Sequence, residues 1–226
     1  MTVHSALLLV GSPRGPESTS DSLGNYLLDR MHERGVASKS IWIQQALKTR
    51  GGHGAMLEEI DAADVVVLSS PLYIDSLPAD VMKALEAISQ GRLSAHQAAP
   101  AFAAIVNSGF PESQHNDTAL AICKRFCDGS HMNWAGGLGL GGGASIGGRP
   151  LATAGGMFRN VRASLDLAAE ALSRGEVIPP EAVSLMSKKF VPAWLYMLLS
   201  SIGWRRQARA FGAQKRMREH PYQGPS

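Results

Sequence analysis

Residues 4–22 read HSALLLVGSPRGPESTSDS, and this stretch decides the fold. Ala6 to Val10 is an unbroken apolar run, the signature of a strand buried on both faces. The turn Gly11-Ser12-Pro13-Arg14 ends it. The hydroxyls of Ser18, Thr19, Ser20 and Ser22 follow, and a helical pattern begins with Leu23, Tyr26, Leu27 and Leu28. A strand, a hydroxyl-rich loop and a helix N-terminus together form a cradle for a phosphate monoester. Free backbone N–H groups and the positive end of the helix dipole attract the anion. The hydroxyls donate further hydrogen bonds, and Arg14 adds a planar charged fork. The loop lacks both the Lys-Ser/Thr ending of a P-loop and the G-x-G-x-x-G of a dinucleotide fold, which favours a terminal monophosphate over a pyrophosphate. Ser, Thr and Asp ahead of a helix are also ordinary N-caps, but capping needs fewer hydroxyls than this loop carries.

The chain alternates strand and helix outward from this stretch, as parallel sheets with crossover helices do. A helix is expected from about residue 20 to 34, closed by Gly35, and a second strand at 38–43. A short helix at 55–61 and a central strand at 65–68 follow, then a helix at 78–90. A fourth strand at 101–106, a helix at 112–126 and a less regular fifth strand at 132–138 complete the series. Five strands with intervening helices predict a flavodoxin-like three-layer α/β sandwich, a five-stranded parallel sheet of order 2-1-3-4-5. Ligands of such sheets sit beyond the carboxyl ends of the strands, at the switch point between strands 1 and 3.

The loops after strands 1, 3 and 4 meet there, and all three are unusual. Ser69-Ser70-Pro71-Leu72-Tyr73-Ile74 is half apolar at a loop position, which suits packing against a flat ring. The other reading drops Leu72 and Tyr73 into the core. The loop from Asn107 to Gln114 offers amide, carboxylate and backbone donors beside Gly109, and it also reads as a simple turn leading into a helix. The glycine-rich run 136–143 suits a loop passing close to another group, at the ligand site or a subunit contact, or a flexible linker.

These segments resemble the NAD(P)H-dependent FMN reductase family. The resemblance rests on GSPRGPESTS at 11–20, SSPLYIDSLP at 69–78 and NSGFPESQHNDTALAIC at 107–123. WAGGLGLGGG at 134–143 and GWRRQARAFG at 203–212 add to it. It implies a bound FMN, with NADPH or NADH as electron donor and a small-molecule acceptor. Ser12, Arg14, Ser18, Thr19 and Ser20 would surround the phosphate. Pro71, Leu72, Tyr73 and Ile74 would line the isoalloxazine, and Asn107, Ser108, Gly109 and Phe110 would approach it from the third loop. Glu112 and His115 are candidates for ring or substrate contacts, or a solvated pair at a helix start; no catalytic acid is named. The similar iron–sulfur flavoproteins carry a cysteine cluster after the second loop, and residues 75–90 hold no Cys. The resemblance also implies a homodimer or homotetramer. The alternative function is a flavodoxin-like electron carrier that docks on partner proteins. Such carriers are strongly acidic, which this chain is not.

Composition bounds the rest. The chain has 226 residues, 45% hydrophobic and 18% charged, as globular proteins do. Its net charge of +3 is uneven. Residues 205–220 carry Arg205, Arg206, Arg209, Lys215, Arg216 and Arg218 against Glu219, a balance of +5 that leaves −2 for the remainder. Phe211 is the one aromatic ring of Phe, Tyr or Trp among these cations, too few for a stacking platform, so no nucleic-acid partner is expected. Cys123 and Cys127 lack the companions of a metal site and read as buried free thiols in a reducing cytoplasm. The boundaries expected are a flavodoxin-like FMN-binding domain at 1–150 and a helical extension at 151–226 with a basic tail, packed on the same domain or at a subunit interface. Within it, VPAWLYMLLSSIGW at 191–204 is too short to span a bilayer. It reads as a packed helix or subunit contact, or as an interfacial anchor whose arginines meet lipid headgroups.

Overall fold

The computed structural model describes residues 3–92, 99–190 and 193–219. Five parallel strands run β1 Ser5–Val10, β2 Ala37–Trp42, β3 Val65–Pro71, β4 Ala101–Asn107 and β5 Asn133–Leu140, in the order β2-β1-β3-β4-β5. This is the flavodoxin-like sheet expected from the strand–helix alternation. Leu7 and Leu9 of β1 face one side of the sheet, Ala6, Leu8 and Val10 the other, and both faces are covered.

One layer holds α1 Thr19–His32, α6 Arg159–Ser173 and α7 Pro180–Met186. The other holds α2 Ile43–Lys48, α3 Gly52–Ala62, α4 Ala79–Arg92 and α5 Asp117–Gly129. Every third or fourth residue of α1 is apolar (Leu23, Leu27, Met31), and that stripe packs on Leu8 and Val10. Val161, Leu165, Ala168 and Leu172 make the matching stripe of α6. The fold divides into two compact units, residues 1–190 and 191–226. Within the first unit α6 and α7 pack on the sheet and complete one of its two helical layers. The second contains α8, Ala193–Ala210. Val191 and Pro192, the start of the last expected helix, lie outside the described residues.

Two elements differ from expectation. The short helix α2 follows β2 directly, with only Ile43 buried, too few apolar positions to reveal a period. The fifth strand continues through the first half of the glycine run, to Leu140. It pairs with β4 past an irregularity at Phe102/Ala103. Glycine is needed there at Gly136, whose φ is 120° and whose added Cβ would stand 2.9 Å from Ile178 Cβ. Burial, with a smaller push from Cys127 and from Asp128 respectively, drives the Cys123 and Cys127 thiols up to about 12, so both stay neutral. Among the described residues no cluster of His, Cys, Asp and Glu could hold a metal.

Candidate functional site at the carboxyl rim of the sheet

The loop after β1 leaves the sheet with the Gly11 N–H donating to Ser69 O at 2.8 Å. A 3-10 turn at Gly15–Glu17 then delivers the chain to Ser18, the N-cap of α1. The Ser18 hydroxyl accepts from the Asp21 N–H at 3.1 Å, and the Ser22 N–H reaches Ser18 O. The N–H groups of Thr19 and Ser20 are left as the first-turn donors without an intrahelical acceptor.

The hydroxyls around that helix start fall into two groups. A hydroxyl has one proton to donate and two lone pairs. Ser12 accepts from the Arg14 N–H at 3.3 Å, Ser18 from Asp21, and Ser20 from Asn107 Nδ2 at 2.8 Å. All three act only as acceptors among the described residues, which leaves their protons unused. Thr19 and Ser22 instead donate to the carbonyls of Gly143 and Arg149. They fasten the loop to the segment that follows β5. The exposed Arg14 guanidinium has no acceptor among the described residues. The carboxylate of Asp21 is turned to Trp42 Nε1 at 3.1 Å. Burial raises its pKa, opposed by the Trp42 and Asn25 hydrogen bonds.

Asn107, at the end of β4, ties the rim together. Its amide nitrogen donates to Ser20 Oγ and to Ser70 O at 3.1 Å, and its own carbonyl accepts from the Leu72 N–H at 2.8 Å. A residue expected to approach the ligand ring thus clasps the three loops to one another. Ser108 is buried beside it and is paired through its backbone with Leu140 O and the Gly143 N–H.

The second and third loops carry the apolar surface. Leu72 is partly buried against the core, as one reading of the sequence expected. Tyr73 is 45% exposed, Ile74 98% and Phe110 55%. Tyr73 and Ser76 pair through both backbone bonds, closing a two-residue turn over Ile74 and Asp75. Those residues take φ of 49° and 58°. Such turns favour Asn or Gly, and a β-branched residue there is strained. Pro71 is the last residue of β3. The Phe110 ring meets His115 at 4.5 Å between centroids, while Glu112 is bonded to Lys189 at 2.9 Å and held below the usual carboxylate range by it.

Gly148 is a functional position that sequence reasoning missed. Its φ is 75°, and a Cβ there would stand 2.2 Å from Glu17 O, so it braces the loop from behind. Its partner lies far away in the chain, and no local pattern marks it. On its other flank the loop borders a cavity of about 470 Å³ lined by Ser12, Pro13, Pro16, Trp42 and Lys48, among others.

The site thus joins anion donors at one helix start with uncovered apolar loops on the two neighbouring strands. That combination fits a ligand with a phosphate at one end and a flat ring at the other, as FMN has.

Comparison with solved structures shows the same fold. An FMN-dependent NADH-azoreductase from Bacillus anthracis, solved with FMN, superposes with a TM-score of 0.54 at 14% identity, covering 75% of this chain and all of that one. A candidate quinone reductase from Klebsiella pneumoniae gives 0.57 at 14% identity, covering 78% and 87%. An NADPH-quinone reductase from P. pentosaceus gives 0.51 at 10% identity, covering 74% and 97%. No family model and no curated protein sequence matches the chain. Identities this low establish a shared architecture, and function has to be argued from the site.

Proposed function

We propose that the protein is an FMN-dependent NAD(P)H oxidoreductase acting on a small quinone, azo, nitro or flavin acceptor. One observation carries this reading. The donors left unused at the start of α1 lie at the same rim as the exposed apolar side chains of the β3 and β4 loops. The azoreductase of like fold was solved with FMN, which supports the same choice of ligand.

The N–H groups of Thr19 and Ser20, the hydroxyls of Ser12, Ser18 and Ser20 and the Arg14 guanidinium would hold the phosphate. Each such charge-assisted bond contributes about 1.5–3 kcal/mol. Tyr73, Ile74 and Phe110 would cover the ring and keep water from it. FMN, when bound, supplies the redox chemistry by taking a hydride from the nicotinamide and passing two electrons to the acceptor. The protein's own part is binding, orientation and exclusion of water. The Asn107 clasp would hold the three loops in place around the ligand. No side-chain acid or base is required for hydride transfer, and none is assigned.

Purified protein loaded with FMN is to be assayed for NADH and NADPH oxidation with menadione. Turnover is the expected result. FMN bound without any NAD(P)H consumption would turn the reading to the electron carrier. Failure to bind FMN at all removes both.

A further inference from the structure

The second unit carries an arrangement the redox reading does not use. The first twelve residues of α8, AWLYMLLSSIGW at 193–204, contain no charged residue. The helix then ends in Arg205, Arg206 and Arg209, and Lys215, Arg216 and Arg218 follow within ten residues of its end. Chemistry therefore changes along the helix axis. Leu198, Ile202, Arg205 and Arg209 follow one another at spacings of three or four, a single stripe that runs from apolar to cationic.

Among the described side chains, those of both halves are largely open to solvent. Met197 is 64% exposed, Leu198 51%, Trp204 70% and Phe211 80%. Arg216 pairs with Glu219 at 2.7 Å. The side chains of Arg205, Arg206, Arg209, Lys215 and Arg218 are exposed and meet no acidic partner among the described residues. A contiguous set of large exposed apolar side chains marks an interaction surface. Its occupant has to be apolar against one half of the helix and anionic against the other.

We infer that α8 and the basic segment after it bind the surface of an anionic lipid bilayer. A lipid leaflet with phosphate headgroups offers both chemistries in the right order. The apolar half sinks into the boundary between headgroups and acyl chains, with Trp204 at the interface, where indole rings concentrate. The arginines extend from the same stripe to the lipid phosphates, and long cationic side chains reach that level readily. The helix lies on the membrane and does not cross it: twelve uncharged residues make about 18 Å of helix against a hydrocarbon core of about 30 Å. Among the described residues no helix is long and apolar enough to span. A second copy of this chain fits less well, because its equivalent surface is cationic too. The inference stands apart from the flavin reading, and neither falls with the other.

The test is flotation of the full chain with phosphatidylcholine vesicles that contain phosphatidylglycerol, against vesicles of phosphatidylcholine alone. Binding is expected only to the first, and to weaken with added salt. Each surface Lys or Arg strengthens such binding about fivefold. Arg205→Glu, Arg206→Glu and Arg209→Glu together should weaken it by roughly a hundredfold or more. Leu198→Ser with Ile202→Ser leaves every charge in place and should also release the protein. Thermal unfolding of the first unit serves as the folding control for both variants. Three results overturn the inference: wild-type protein that stays unbound, binding that the double Ser variant retains in full, or a stable dimer split by that variant while the wild type ignores anionic vesicles.

Discussion

The two rims of one sheet are built on opposite terms. At the amino rim, Asp64 takes the N–H groups of His4 and Ser5 at 2.8 and 3.0 Å and the Ser5 hydroxyl at 3.1 Å. The Asp64 carbonyl accepts from the Ala101 N–H at 2.9 Å, and the Asp64 N–H donates to Ser5 Oγ at 3.0 Å. Nearby, buried Arg92 pairs with Asp61 and donates to the carbonyls of Ser130 and His131. Polar groups there find partners within the chain. At the carboxyl rim three hydroxyl protons, two helix N–H groups and a guanidinium find none among the described residues, and Ile74 is 98% exposed at a φ of 49°. The same chain that closes one rim leaves the other open. An unsatisfied rim is costly unless something binds there.

The largest expected break in that contrast comes from Gly148→Ala. The added methyl needs the space of Glu17 O and a left-handed backbone as well. A stability loss of about 3 kcal/mol is expected in urea denaturation. FMN affinity should fall with it, as the loop moves off its brace. A variant with wild-type stability and affinity would show that the loop does not lean on Gly148.

Arg14→Ala comes next and isolates the ligand from the fold. The side chain is exposed and without an internal partner, so stability should stay within about 0.5 kcal/mol of wild type. FMN affinity should fall by about 1.5–3 kcal/mol, roughly 10- to 150-fold, in a titration. Unchanged affinity would take Arg14 out of the phosphate site.

Ile74→Gly has the opposite signature. Glycine adopts φ of 49° freely, so the protein without ligand should gain about 1 kcal/mol. FMN should bind more weakly, because a covering side chain is gone. Gains in both stability and affinity would mean that the turn is strained for a reason other than the ligand.

What the sequence discloses follows the same division. The sheet order was legible because Ala6 to Val10 and Val65 to Leu68 are local apolar runs of the right length. The openness of the rim was partly legible, since Tyr73 and Ile74 are apolar at a loop position. Their left-handed backbone was not, because isoleucine carries no preference for it. Nor was the division among the hydroxyls. Ser20 and Thr19 are neighbours in sequence, yet one accepts from Asn107 and the other donates to Gly143, both far away in the chain. Composition announces a cluster of hydroxyls, and long-range packing decides which protons stay available. The strand through the glycine run was hidden for a related reason. Glycine gives no periodic signal, and the need for it at Gly136 arises from a positive φ and from Ile178, far away in the chain.

The smallest effect compares one carboxylate from each rim. Burial pushes Asp64 up, but the hydrogen bonds from His4 and Ser5 outweigh it and hold its pKa below 3.8. Its stabilisation is therefore complete above pH 3.8 and is lost as pH falls through the lower, folded value. Asp21 is raised above 3.8, chiefly by burial, so the folded chain takes up that proton before the unfolded one and gains stability on acidification. Asp64→Asn should cost about 0.5–1 kcal/mol at neutral pH, less in acid, where the wild-type carboxylate is itself protonated. Asp21→Asn keeps an acceptor for Trp42 and removes a buried charge, so stability at neutral pH should hold or rise. The two rims then respond to FMN differently. A phosphate at the start of α1 adds negative charge in the helical turn that holds Asp21, and NMR titration should show the Asp21 pKa raised further by FMN while that of Asp64 stays fixed. An Asp21 pKa indifferent to FMN would move the phosphate away from that turn.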